Sequence, residues 1–235
     1  MGITTTESAT PPNGTASGSD PLTDIAVTLV VDVAWIAGCE AVVGIANSIH
    51  HFHRASTHAG YYYAPDGSFS VAIPGWPDSD GYEAQQQTGQ DKTTVLFVPR
   101  TKGDLVFGAT VVPRLTPEQA DLSLDEFAKL AGDLMPHLAA AGQTPPLTQV
   151  HAEDIALGAN PARLVVFRAN STDAGTGEPR YYLMYFVKTP RSAAVLSVAW
   201  PFECEKCAVG PDSALRAMDS RINPFLDSFE LRNPG

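Results

Sequence analysis

Apolar and polar residues alternate in the stretch that opens the main part of this chain. Residues 69–73 read Phe-Ser-Val-Ala-Ile, and a period of two is typical of a strand with one buried face. The preceding Asp66-Gly67 pair is typical of a tight turn, and Pro74 ends the pattern. The sequence therefore predicts that a domain begins here with a half-buried strand.

Further apolar and β-branched runs, separated by short turns, predict more strands. They cover residues 83–88, 94–98, 104–112, 150–157, 162–169, 181–188 and 193–200. Consecutive strands joined by such short connections can pair only in the antiparallel sense. We therefore expect hairpins and an antiparallel sheet.

The spacing of apolar residues becomes helical in two places. Ser123 and Glu126 have the spacing of a capping box, and leucines follow at intervals of three or four residues as far as Leu138. Residues 211–229 show a similar spacing, which Pro224 is expected to break or kink. Runs of strands with inserted helices predict an α+β fold in which helices pack across the sheet.

Two segments of contrasting composition precede the predicted domain. Residues 1–24 hold almost no large apolar residue, and we predict a disordered tail because such a segment cannot offset its ordering entropy. Residues 25–46 form the most apolar run, about as long as a helix that crosses a bilayer. Asp32 and Glu40 would each cost about 2.5–3.5 kcal/mol on insertion. This balance leaves open a membrane-associated or spanning helix, a helix packed on protein, and a processed signal.

The sequence thus predicts three parts: the tail over residues 1–24, an apolar helix and His-rich linker over 25–60, and a folded domain over 61–235. The linker holds His50, His51, His53, Arg54 and His58. Histidine clusters can bind metal, but these lack the Cys or carboxylate partners of a spaced site. We therefore expect a polar segment, followed by three tyrosines at 61–63 that lie at a membrane interface or pack on the domain edge.

Charge excludes one class of partner. The chain carries 15 Lys and Arg residues against 26 Asp and Glu, a formal net charge of -11. Such a surface repels phosphate backbones. We therefore predict that the chain does not bind nucleic acid.

The three cysteines are too few for a disulfide framework. Residues 36–39 resemble a bacterial lipobox, but no basic residue precedes them, and a small buried Cys39 is the preferred interpretation. Cys204 and Cys207 form a C-x-x-C pair, which is compatible with a local disulfide, two free thiols, or a redox or metal function. A disulfide would favour an oxidising compartment.

Sequence motifs of known chemistry are otherwise missing. The chain has no phosphate-binding glycine loop, no H-E-x-x-H and no G-x-S-x-G. His137 and His151 are single histidines without an evident partner in the sequence. We therefore predict no catalytic, cofactor-binding or metal-binding residues and no cofactor.

Three stretches of the domain resemble a known family. Residues 67–76 are similar to the first strand of PsbP-like and Mog1-like domains, whose bacterial relatives include DcrB-like proteins. Residues 158–165 resemble their central hairpin, and residues 222–229 resemble their last helix with the short strand after it. The resemblance implies an α/β/α sandwich with helices on both faces of an antiparallel sheet. It implies binding or accessory roles and carries no shared catalytic motif.

We therefore expect a non-enzymatic, membrane-associated accessory protein of the cell envelope. It would bind an unidentified protein, or a small apolar ligand, through its sheet or a groove at the sheet edge, with a membrane surface as a further partner. One alternative is a soluble, cytoplasmic chaperone that shields apolar helices of a secreted protein. Another is a thiol redox protein that uses Cys204 and Cys207.

Overall fold

A computed structural model describes residues 52–75, 81–89, 91–101, 104–140, 147–169, 181–200 and 210–232. The predicted tail over 1–24 and apolar helix over 25–46 lie outside the described residues, as do Cys204 and Cys207. What the sequence predicts for these segments stays a prediction.

The described part of the chain contains twelve strands and four helices. The strands are β1 (His53–Arg54), β2 (Thr57–His58), β3 (Tyr61–Tyr63), β4 (Phe69–Ala72), β5 (Tyr82–Thr88), β6 (Thr93–Pro99), β7 (Val106–Val112), β8 (Leu147–Leu157), β9 (Asn160–Ala169), β10 (Tyr181–Lys188), β11 (Ala193–Trp200) and β12 (Glu230–Leu231). The helices are α1 (Pro117–Asp121), α2 (Leu124–Ala140), α3 (Asp212–Arg216) and α4 (Ile222–Asp227).

Eight strands form one antiparallel sheet in the order β1-β5-β6-β7-β11-β10-β9-β8. The three predicted hairpins are confirmed, because β6 pairs with β7, β8 with β9, and β10 with β11. Side chains at directly opposed positions share a face of the sheet, so each face carries its own hydrophobic cluster.

The second sheet has four short strands in the order β12-β4-β3-β2 and covers one face of the large sheet. Tyr62 of the small sheet packs edge-on against Phe97 of the large sheet, with ring centroids 6.5 Å apart. Phe225 of α4 lies 5.1 Å from Phe107 on the same face. The main core therefore lies between the two sheets, with α4 at its side.

Helix α2 packs on the opposite face of the large sheet, against β8, β9 and β10. Phe127 contacts Phe186 there, with ring centroids 5.7 Å apart. The predicted capping box is confirmed: the Ser123 Oγ accepts from the Glu126 N–H at 3.2 Å, and the Glu126 carboxylate accepts from the Ser123 N–H at 2.8 Å.

The predicted α/β/α sandwich with helices on both faces is wrong. The face opposite α2 is covered mainly by the small sheet, and the predicted helix over 211–229 is two helices of five and six residues. The sequence predicted β4 but not the sheet to which it belongs, because its partners β2, β3 and β12 have only two or three residues each. Such strands are too short to show a period.

The prediction that β4 is buried on one face only is also wrong. Ser70 and Ala72, assigned to the exposed face, are 2% and 3% exposed. In the small sheet Ser70 lies between Tyr63 of β3 and Glu230 of β12, and α4 packs against β4. The Ala72 N–H also donates to the Ser228 Oγ at 2.8 Å.

Candidate functional site

Strand β8 forms an open edge of the large sheet. It has eleven residues and, among the described strands, pairs only with β9. The pairing runs from Leu147 opposite Ala169 to Leu157 opposite Asn160, with a register shift between Gln149 and His151. Among the described residues, no other strand pairs with the outer side of β8.

Both hydrophobic clusters reach this edge without being fully covered. Val150 and Ile155 are partly buried against the cluster between the two sheets. Leu147 and Ala152 are partly buried against the cluster beneath α2. An additional strand along β8 would extend both apolar layers.

Polar side chains gather beside β8 on the face that the small sheet covers. Glu153 and Tyr185 both oppose Leu164 in the sheet register, so they share this face. The N–H of Asp212, the first residue of α3, donates to the Glu153 Oε2 at 2.8 Å. We define the β8 polar cluster by six residues: His151, Glu153, Tyr185, Asp212, Arg216 and Asp227.

Ion pairs connect the members of the β8 polar cluster. The Arg216 Nε lies 2.6 Å from the Asp212 Oδ2, and another nitrogen of the same guanidinium lies 2.8 Å from the Asp227 Oδ1. The His151 Nε2 lies 3.5 Å from the Glu153 Oε2. The Arg216 guanidinium also lies over the Tyr185 ring, 5.9 Å from its centroid.

Burial controls the electrostatics of this cluster. Tyr185 is 0% exposed, and burial, followed by the Asp212 charge, raises the pKa of its hydroxyl well above the ordinary value. Burial also raises the pKa of Asp212, although Arg216 opposes that change. The Tyr185 hydroxyl lies beside the Asp212 carboxylate, although within the described part of the chain neither it nor the Asp212 Oδ1 makes a well-formed hydrogen bond. The Asp212 carboxylate is thus buried without full compensation of its charge.

A shallow groove lies at the other edge of the large sheet. It has a volume of about 460 Å³. It is lined by His53, Pro65, Gln86, Gln87 and Thr88. At this edge the two residues of β1 cover only Gln85 and Gln86 of β5. We call this feature the β5 groove; most of the groups that line it are polar.

The histidines of the predicted linker that the structure describes lie in β1 and β2. His53 and His58 are exposed. The described residues contain no group of three or more His, Cys, Asp or Glu placed to hold a metal ion. His151 belongs to the β8 polar cluster, whereas His137 lies in α2.

The three tyrosines at 61–63 form β3. Tyr62 is buried, and its hydroxyl donates to the Gln86 Oε1 at 3.0 Å. Tyr63 is 43% exposed, with Arg232 over its ring. The described residues include no helix that is both long and apolar enough to span a membrane.

Sequence reasoning did not predict the β8 polar cluster: it named His151 alone, as a histidine without an evident partner. One signal was available, because Asp212 and Arg216 have the i,i+4 spacing of a helical ion pair. That signal is weak without the strand register. The register brings Glu153 within reach of residues about sixty positions further along the chain.

The fold and this edge define a two-sheet α+β domain with one long open strand. No protein-family model and no curated protein matches the chain. Among solved structures it is similar to cyanobacterial PsbP (CyanoP) from Synechocystis sp. PCC 6803, at 12% identity and TM-score 0.49, over 75% of this chain and 95% of that one.

Two further solved structures are similar to this chain over part of their length. The immunity protein TplEi of T6SS from Pseudomonas aeruginosa is 14% identical at TM-score 0.34, over 66% of this chain and 46% of that one. The Tle4–Tli4 complex gives 12% identity at TM-score 0.35, over 77% of this chain and 56% of that one. With TM-scores below 0.5, none of these likenesses assigns the chain to a family or a function.

Proposed function

We propose that this chain is a non-enzymatic binding protein that takes up an extended segment of a partner protein as an additional strand along β8. The observation that carries the proposal is an eleven-residue edge strand with half-buried apolar side chains on both of its faces. In strand addition, main-chain hydrogen bonds supply affinity and alternate side chains supply specificity.

The partner segment would complete both core layers. Its alternate side chains would pack beside Val150 and Ile155 on one face, and beside Leu147 and Ala152 on the other. If four apolar side chains of the partner segment become buried, they contribute about 6–12 kcal/mol to the binding free energy, at about 1.5–3 kcal/mol each. Association itself costs about 4–15 kcal/mol. We therefore expect modest affinity, in the micromolar range or weaker.

Features of β8 select against the wrong partner. A register shift and charged side chains discourage nonspecific pairing at a sheet edge. Here the shift lies near His151, and Glu153 and Asp154 supply negative charge. Asp154 is held by Arg163, with 2.6 Å between the Oδ1 and a guanidinium nitrogen. These acids favour a partner strand with basic side chains.

The proposal is tested with defined peptides on the full chain. Displayed random twelve-residue peptides are selected against the wild type, and amide hydrogen exchange then locates the site of binding. We expect protection of β8 amides. The double variant Ala152→Lys, Ile155→Lys places one lysine on each face of the edge and should weaken binding about tenfold or more.

The matched control is Thr57→Lys, Thr88→Lys, which adds the same charge at exposed positions on other strands. It should bind the selected peptides as the wild type does. The proposal fails if no peptide is selected, if protection appears elsewhere than β8, or if the β8 double variant, shown to be folded by circular dichroism, binds normally.

A second candidate function is the binding of a small molecule in the β5 groove, which its volume of about 460 Å³ favours. Thr88 lines this groove, so the control variant would block such a ligand while leaving the β8 edge intact. Binding of a small-molecule library that is lost in Thr57→Lys, Thr88→Lys and retained in the β8 variant would support this candidate.

The remaining alternatives make different predictions. A chaperone for apolar helices would select helical peptides in place of extended ones. A thiol redox function would depend on Cys204 and Cys207 and would be lost in Cys207→Ser. Membrane association in the cell envelope rests on residues 25–46, and carbonate extraction of the wild type against Asp32→Leu, Glu40→Leu measures it.

A further inference from the structure

We infer that the β8 polar cluster is a subsite for a lysine or arginine side chain of the partner strand. The inference rests on the proposed function and names the chemistry that the partner must carry. It concerns the face of β8 that bears Glu153, beside the start of α3.

Within the described residues, one carboxylate of the cluster has no arginine or lysine partner. Arg216 pairs with both Asp212 and Asp227. Glu153 accepts from the backbone N–H of Asp212 and has His151 at 3.5 Å, a distance too long for a strong hydrogen bond. Three carboxylates thus share one guanidinium, so the cluster can accept another positive charge.

Buried polar atoms in the cluster face each other without a well-formed hydrogen bond. The fully buried Tyr185 hydroxyl lies beside the Asp212 carboxylate, but within the described residues neither it nor the Asp212 Oδ1 meets hydrogen-bond geometry. A buried carboxylate oxygen whose donor is poorly placed carries a desolvation cost. An ammonium or guanidinium group has several donors and would lower that cost. The raised pKa of Asp212, caused by its burial, agrees with this deficit of positive charge.

Sheet geometry places a suitable side chain within reach. An added strand lies about 4.8 Å from β8, and the Cβ of its residue opposite Glu153 lies about 4.5–5.5 Å from the Cβ of Glu153. The aliphatic part of a lysine or arginine would cover the half-buried Ile155, two residues along the same face. Its charged end would then lie beside the Glu153 carboxylate.

A purely structural role is the alternative. In that case Glu153 only holds the start of α3 against β8 and binds no external cation. If the role is only structural, the cluster should not bind a lysine side chain more tightly than an apolar side chain of similar shape. The experiment therefore compares the binding of these two side chains.

The probe is N-acetyl-lysine N-methylamide, compared with its norleucine analogue and titrated into the full chain. Chemical shifts of the His151 ring and of the Glu153 and Asp212 amides report binding. We expect a saturable shift with the lysine probe and none with norleucine. Glu153→Gln keeps an oxygen that can accept from the Asp212 N–H, so the fold should persist while affinity falls roughly fivefold.

The matched control is Glu83→Gln, the same change on exposed β5 near the other edge of the sheet. It should bind the lysine probe as the wild type does. The inference fails if lysine gives no saturable shift, if norleucine gives an equal shift, or if Glu153→Gln binds lysine normally.

The two proposals can fail separately because the lysine probe needs no added strand. Selected peptides that protect β8 while the lysine probe does not bind would overturn the subsite and leave strand addition standing. A lysine probe that binds while no peptide protects β8 would overturn strand addition and leave a cation-binding cluster.

Discussion

Arg221 connects three parts of the chain through one guanidinium. It donates to both oxygens of Asp104 at 2.6 and 2.7 Å, to Asp219 at 2.6 and 2.8 Å, and to the Tyr82 hydroxyl at 2.9 Å. These bonds fix the residue before α4 to the start of β5 and to the loop before β7. The side-chain hydrogen bond from Arg221 holds the pKa of Asp104 below its ordinary value.

Replacing this arginine should destabilise the fold in a pH-dependent way. Arg221→Met leaves the carboxylates of Asp104 and Asp219 half-buried without their shared donor, which should lower the free energy of unfolding by about 1–3 kcal/mol at pH 7. Because the folded pKa of Asp104 is lowered, its stabilising contribution is complete above the unfolded pKa, near 3.9. That contribution is lost as the pH falls through the folded pKa. Urea denaturation at pH 7 and about pH 3 measures the difference.

The comparison variant for Arg221 is Arg191→Met, which removes the same charge from an exposed position in the β10–β11 turn. Its stability should stay close to that of the wild type. An Arg221→Met protein as stable as the wild type at pH 7, or a loss of stability as large at about pH 3 as at pH 7, would contradict the assigned role.

Helix α2 begins at a capping box whose two hydrogen bonds are both present. Ser123→Ala removes the hydroxyl that accepts from Glu126 and should lower the free energy of unfolding by about 0.5–2 kcal/mol. Ser123→Thr retains the hydroxyl and should lose little. Urea unfolding of both variants measures the contribution of the cap to stability. If Ser123→Ala is as stable as the wild type, the cap does not stabilise α2, and packing of side chains such as Phe127 accounts for its stability.

Element length explains how much of the fold was predictable. Strands of seven to eleven residues, such as β6 and β8, carry a visible pattern and were predicted with hairpin pairing. The small sheet was missed because β2 and β12 have two residues each. The β8 polar cluster was missed because Glu153 and Asp212 are far apart in sequence and meet only through the register of β8 and the position of α3.

At the scale of the whole molecule, the residues predicted as linker contribute one strand to each sheet. β1 belongs to the large sheet and β2 belongs to the small sheet. His53 pairs with Gln86 in the large sheet, and Thr57 pairs with Tyr62 in the small one. The Ala55 N–H also donates to the Ala84 carbonyl at 2.8 Å. The packed unit therefore includes residues 53–58.

This position of β1 and β2 predicts the behaviour of truncated chains. A fragment of residues 52–235 should unfold in one cooperative transition. A fragment of residues 60–235 loses the pairing to β5 and β3 and should melt at a lower temperature. Thermal unfolding followed by circular dichroism gives the two midpoints. Equal midpoints for the two fragments would contradict a contribution of β1 and β2 to stability.

The closing of the small sheet by β12 has a consequence for synthesis. Ala72 and Ser228, which join β4 to the end of α4, are 156 residues apart in the chain. At a synthesis rate of roughly 5–20 residues per second, β4 waits about 8–30 s for that partner. During this time its outer edge is unpaired. A nascent chain of this protein therefore exposes an unpaired strand edge, which other polypeptides can pair with, until β12 has been synthesised and pairs with β4.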